Sequence, residues 1–146
     1  MTDSLASTIT RTFAATPEQV FEAWVSPPTF SLWWGGTDVE VPLESLTLDA
    51  RPDGHWEATM LLGDGTPDYR FYGEYVEVDR PNKLVFTMTD EPGDARELIS
   101  VTLTALDGGT QLRFSQTGGN LTPEQYEAVT LAWQLNFDAL ETTLAA

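Results

Sequence analysis

Apolar and aromatic side chains recur along the last part of this chain with a helical period. Tyr126, Thr130, Trp133, Phe137, Leu140 and Leu144 follow one another at spacings of four and three and so form one stripe, with Val129 beside it. Asp138 and Glu141 fall off that stripe. From Pro123 to about Leu144 no further Pro or Gly interrupts the pattern, and ~22 residues at 1.5 Å each make a rod roughly 33 Å long. The rod has a marked beginning. Thr122-Pro123-Glu124-Gln125 places Thr at the N-cap, Pro at the first helical position and Gln three residues after the cap, a capping box with an acid near the positive end of the helix. The quartet Thr16-Pro17-Glu18-Gln19 repeats this chemistry and starts a shorter helix from about Pro17 to Val25, with Val20, Phe21 and Trp24 on one face. Ser26-Pro27-Pro28 ends it. A further short helical turn carries Phe30 and Leu32 to Trp33-Trp34-Gly35-Gly36, where the glycines stop it.

Between these helices the period drops to two. Leu5–Phe13 alternates imperfectly, with Leu5, Ser7, Ile9, Arg11 and Phe13 on one side. Leu46–Ala50 leads into the turn Arg51-Pro52-Asp53-Gly54, and His55–Leu62 then places Trp56, Ala58 and Met60 opposite His55, Glu57 and Thr59. Gly63-Asp64-Gly65-Thr66-Pro67 is a loop. Tyr69–Val78 turns through Asp79-Arg80-Pro81-Asn82 into Lys83–Thr89, and Glu91-Pro92-Gly93-Asp94 is the next loop. Leu98–Ala105 and Thr110–Gln116 make a hairpin around Asp107-Gly108-Gly109. Six or seven antiparallel strands in a meander, with helices segregated to the ends, predict an α+β fold in which the curved sheet covers the long final helix.

Bulk composition narrows the class. The length of 146 residues, with no linker or low-complexity segment, predicts one domain spanning 1–146. With 41% hydrophobic and 11% aromatic residues, the chain has the material for a large core. Without cysteine there are no disulfides, thiolate metal sites or thiol nucleophiles. The formal net charge of −16, with Lys83 as the only lysine, repels nucleic acid and anionic membrane surfaces. The acids are dispersed, as on a solvated surface. MTDSLASTIT lacks the charged and apolar regions of a signal peptide, and no apolar run approaches the ~18 residues of a membrane span, so a cytoplasmic location is expected.

Several local signatures, in order, carry a family resemblance. Phe13-Ala14-Ala15-Thr16-Pro17-Glu18-Gln19-Val20-Phe21-Glu22-Ala23-Trp24 is followed by Trp33-Trp34-Gly35 and by Leu48-Asp49-Ala50-Arg51-Pro52-Asp53-Gly54-His55-Trp56. Tyr72-Gly73-Glu74-Tyr75-Val76-Glu77-Val78-Asp79-Arg80-Pro81, Leu84-Val85-Phe86-Thr87, Gly109-Thr110-Gln111-Leu112 and the Trp133-bearing helix complete the set. The chain resembles the START-like SRPBCC superfamily, which has the helix-grip fold of the birch-pollen allergen. Within it, the likeness is to homologues of the C-terminal domain of the heat shock protein 90 ATPase activator. The resemblance implies a seven-stranded sheet gripping the last helix, two short helices between the first and second strands, and a hydrophobic cavity between sheet and helix. Such proteins bind lipids, sterols, polyketides or other apolar molecules, and some catalyse cyclisation, dehydration or hydrolysis. Chaperone activation in the eukaryotic members also needs an N-terminal domain that these 146 residues do not contain.

Candidate chemistry is sparse. His55 is the only histidine, and alternation sets it opposite Trp56, hence towards solvent if the apolar face lines the interior. Glu77 shares a strand face with Tyr75, Gly73 and Phe71. An unbroken strand would aim it inward, where aromatic walls raise a carboxyl's pKa; the alternative is that a bulge near Asp79 turns it out, or that Arg80 or Arg113 pairs with it. A phosphate-binding glycine loop, a nucleophile elbow and a calcium-binding loop are all missing, and no metal or cofactor is expected. Trp24 and Phe21 read as core. Trp33, Trp34, Trp56, Phe71, Tyr75, Phe86, Trp133 and Phe137 read as either core or cavity lining, with Gln116, Tyr69 and Arg113 as possible polar anchors. The expected function is binding of a small hydrophobic or amphipathic molecule between sheet and final helix. A cofactor-free acid–base enzyme of cyclase or hydrolase type, using Glu77 or His55, is the alternative. A chaperone-interacting module is the second, since a protein partner is possible although no residue indicates one.

Overall fold

Each helix begins where its capping residues place it. In a computed structural model that describes residues 6–35, 39–61, 69–91, 96–118 and 120–145, Thr16 caps α1 (Pro17–Val25) through both halves of the capping box. Thr122 caps α3 (Pro123–Ala145) in the same way: its hydroxyl accepts from Gln125 N at 3.1 Å and its own N–H donates to Gln125 Oε1 at 2.8 Å. Thr122→Ala is therefore expected to lower stability by about 1 kcal/mol, read as a shift in the urea midpoint. Ser26-Pro27-Pro28 does more than end α1. Ser26 N–H closes α1 on Glu22 O, and Pro27 is the first residue of α2 (Pro27–Trp33), because a proline at that position loses no hydrogen bond.

The strands are β1 (Ala6–Phe13), β2 (Thr47–Leu48), β3 (His55–Met60), β4 (Tyr69–Asp79), β5 (Lys83–Glu91), β6 (Arg96–Leu106) and β7 (Gly109–Thr117). They form one antiparallel sheet in the order β1-β7-β6-β5-β4-β3-β2, so the chain meanders from β2 to β7 and β1 closes the far edge. Only β2 is much shorter than its pattern suggests. Arg51 N–H already bonds Asp49 O and Gly54 N–H bonds Arg51 O, so the turn captures the backbone at Asp49 and leaves two residues of strand. Leu5, Gly36, the 63–67 loop and residues 92–94 of the next loop lie outside the described residues.

Helix α3 lies on the inner face of the sheet and buries Tyr126, Trp133, Phe137, Ala139 and Leu140. Its exposed flank is fastened to the β1 edge. Arg11 continues the inward set of β1, but at the sheet's margin its guanidinium reaches Asp138 and Glu141, both at 2.9 Å, and Gln134. The two acids that fall off the apolar stripe thus set the position of the helix. Being exposed, these pairs fix geometry more than they add stability.

Candidate functional site

Three walls line a half-open cavity of about 210 Å³. The α2 wall is the C-cap residue Trp34 with Gly35. The sheet supplies Met60, Phe71, Met88 and Gln116, and α3 supplies Val129, Ala132, Trp133 and Asn136. Trp34, Trp133 and Gln116 are buried and make the floor, while Ala132 is exposed and Asn136 half-buried at the rim. Trp34 is held by edge contacts with Phe71 at 5.0 Å and Trp56 at 6.1 Å, and it stacks on Phe30. Among the described residues the lining is apolar except for the two carboxamides of Gln116 and Asn136.

A buried polar chain stands behind the floor. Trp133 Nε1–H donates to Gln116 Oε1 at 2.9 Å, and Gln116 Nε2 donates to Glu97 Oε1 at 3.2 Å. Glu97 is 4% exposed, and its other oxygen accepts from Asn120 Nδ2 at 2.7 Å and from Tyr126 O–H at 3.2 Å. Among the described residues no Lys, Arg or His pairs with it, so hydrogen bonds alone hold it in place. Glu97 escapes the sequence reading because its strand was expected to begin at Leu98. The available signal was alternation, since Glu97 precedes Ile99, Val101 and Leu103 on the inward set.

Of the side chains expected at a site, four come together: Trp34, Phe71, Gln116 and Trp133 line the cavity. Five do not. Trp33, Trp56, Tyr75, Phe86 and Phe137 are packed in the aromatic core, with Trp33 bonded to Ala23 O and Trp56 to Thr87 O through their indole N–H groups. Burial pushes the Tyr75 phenol above its usual pKa range, and Asp49 adds to the shift. Arg113 is exposed on the outer face, and Tyr69 is not part of the lining.

Of its two expected placements, Glu77 takes the outward one, and it does not pair with Arg80 or Arg113. The β4–β5 register shifts between Tyr75 and Glu77, which makes Val76 an extra residue and reverses the face of those that follow. Glu77 points to solvent and meets Lys83 at 3.4 Å, rather than Arg80 or Arg113. Arg80 instead reaches Glu22 at 2.9 Å. His55 is half-exposed on the outer face, 3.3 Å from Glu57, whose pKa is lowered mainly by Arg70 and then by His55. Neither acid–base candidate reaches the cavity. Among the described residues no group of three or more His, Asp or Glu could hold a metal ion, and no helix is long and apolar enough to cross a membrane.

The family model described as "Activator of Hsp90 ATPase homolog 1-like protein" matches residues 14–145. No curated protein matched. Among solved structures, protein CV1439 of Chromobacterium violaceum superposes with a TM-score of 0.85 at 22% identity, covering 97% of this chain and 98% of the other. Protein Ms6760 of Mycobacterium smegmatis gives 0.80 at 24% identity over 98% and 92%. A protein from Arthrobacter aurescens gives 0.83 at 20% identity over 99% and 90%. At these identities the likeness shows a shared fold and nothing of a shared ligand.

Proposed function

Because this chain belongs to the family of activator of Hsp90 ATPase homolog 1-like proteins, within the START-like SRPBCC superfamily, we propose that it binds a small apolar molecule non-covalently in the cavity between sheet and α3. The observation that carries this reading is the cavity itself: a half-open cleft of about 210 Å³ between sheet and α3, lined by buried Trp34 and Trp133. Its volume limits the occupant. Drug-sized ligands need about 300 Å³ or more, whereas roughly 150 Å³ of apolar space suffices for benzene, so the part of the ligand held inside is about one ring with its substituents. A neutral ligand suits a chain of net charge −16, and a cytoplasmic setting is proposed with it.

The acid–base alternative has lost its support, since Glu77 and His55 both lie outside the cavity. The chaperone-interacting alternative retains Leu131 and Leu135, exposed one helical turn apart on α3. Two side chains make a patch well below the several hundred Å² that mark a docking surface.

Blocking the mouth tests the proposal. Ala132 is exposed on α3 and faces the cavity, so Ala132→Trp is expected to fill the opening with little change in unfolding midpoint. Toluene binding, followed by tryptophan fluorescence, should be saturable in the wild type and at least tenfold weaker in the variant. Equal binding by the two proteins would place the ligand elsewhere.

A further inference from the structure

Gln116 is the one polar group on the cavity floor, and its two partners fix which way its amide points. Trp133 Nε1 can only donate, so it takes the carbonyl oxygen at 2.9 Å. The Glu97 carboxylate, on which two further donors converge, accepts from the amide nitrogen at 3.2 Å. A flipped amide would set donor against donor and acceptor against acceptor, so the orientation is determined. The two ends also differ in their partners. Gln116 and Trp133 both line the cavity, whereas Glu97 does not, so the oxygen end of Gln116 is the end bonded to a lining residue. Gln116 Oε1 has two lone pairs and Trp133 uses one. Losing N–H density to Glu97 makes the remaining lone pair a better acceptor.

From this geometry we propose that the cavity prefers a neutral hydroxyl compound, a phenol or compact cyclic alcohol, whose O–H donates to Gln116 Oε1 while its ring fills the apolar space between Trp34, Phe71 and Trp133. The preference rests on the ligand-binding reading above and adds a chemical class to it. Carboxylates are disfavoured, because among the described residues no cation lines the cavity and Glu97 stands directly behind its floor.

Titration calorimetry with p-cresol, its methyl ether 4-methylanisole, toluene and the 4-methylbenzoate anion tests the preference. One net hydrogen bond predicts p-cresol binding about fivefold tighter than either toluene or 4-methylanisole, with 4-methylbenzoate weakest. In Gln116→Met the ratio of p-cresol to toluene affinity should fall to about one, and in Asn136→Ala the ratio should remain about fivefold. If Gln116→Met does not fold, the wild-type series and Asn136→Ala still decide. Equal affinity of the wild type for p-cresol, toluene and 4-methylanisole overturns the hydroxyl preference but leaves the cavity reading standing. So does loss of the advantage in Asn136→Ala, which would move the hydroxyl to the rim. Failure of all four probes to bind overturns the cavity reading itself.

Discussion

Gly73→Ala is expected to destabilise the protein by about 2–6 kcal/mol, a large change for a single methyl group. A Cβ at Gly73 would fall inside the van der Waals envelope of the Thr87 carbonyl and 2.7 Å from Trp56 Nε1. Both atoms are already committed. Trp56 lies opposite Gly73 in the β3–β4 register, and its indole N–H crosses the glycine to donate to Thr87 O at 2.7 Å. Thr87 is rewired to permit this, its hydroxyl accepting from Glu74 N–H at 2.9 Å. The new methyl group would push on a backbone carbonyl that cannot swing aside and would separate a buried donor from its acceptor. Overpacking costs about 1–3 kcal/mol and an unsatisfied buried group about 1–3 kcal/mol more. Urea denaturation measures the loss. Trp56→Phe in the same background should recover part of it, because the phenyl ring has no atom at the Nε1 position.

Trp33→Ala should cost a similar amount, about 3–5 kcal/mol, a large share of the ~5–15 kcal/mol that stabilises an ordinary domain. Trp33 is fully buried, with ring contacts to Trp24 at 4.8 Å, Phe30 at 5.5 Å and Phe137 at 6.4 Å. Its N–H donates to Ala23 O at 2.8 Å, so it also latches α2 to α1. Truncation leaves a void in the aromatic cluster and an unpaired carbonyl together. Because Trp33 does not line the cavity, toluene affinity measured below the unfolding transition should stay within about twofold. A mild stability loss combined with abolished binding would mean that Trp33, rather than its neighbour Trp34, forms the wall.

Much of the fold was legible because its signals are local. Two capping boxes marked the starts of α1 and α3, and alternation placed Trp56, Ala58 and Met60 on one face of β3 and His55 on the other. Asp107-Gly108-Gly109 marked the last hairpin, where Gly108 has the positive φ of 85° that favours glycine. Alternation failed at Glu77 for a reason that no single strand contains. A bulge is a property of two strands in register, and the extra residue Val76 exists only relative to β5.

What the sequence determined by itself was the set of elements and, apart from the end of β4, the side of each that faces inward, since periodicity, caps and turn residues depend on neighbours in the chain. What only the tertiary structure decided was how that inward surface is divided. Trp33 and Trp34 are adjacent and chemically identical, yet one fills the core and the other walls a cavity, because α2 ends between them and Trp34 leaves the helical direction. Glu97, Gln116, Asn120, Tyr126 and Trp133 form one hydrogen-bonded chain only because β6 and β7 pair beneath α3. Volume left unfilled and donors shared across elements are properties of packing, and no segment read alone contains them.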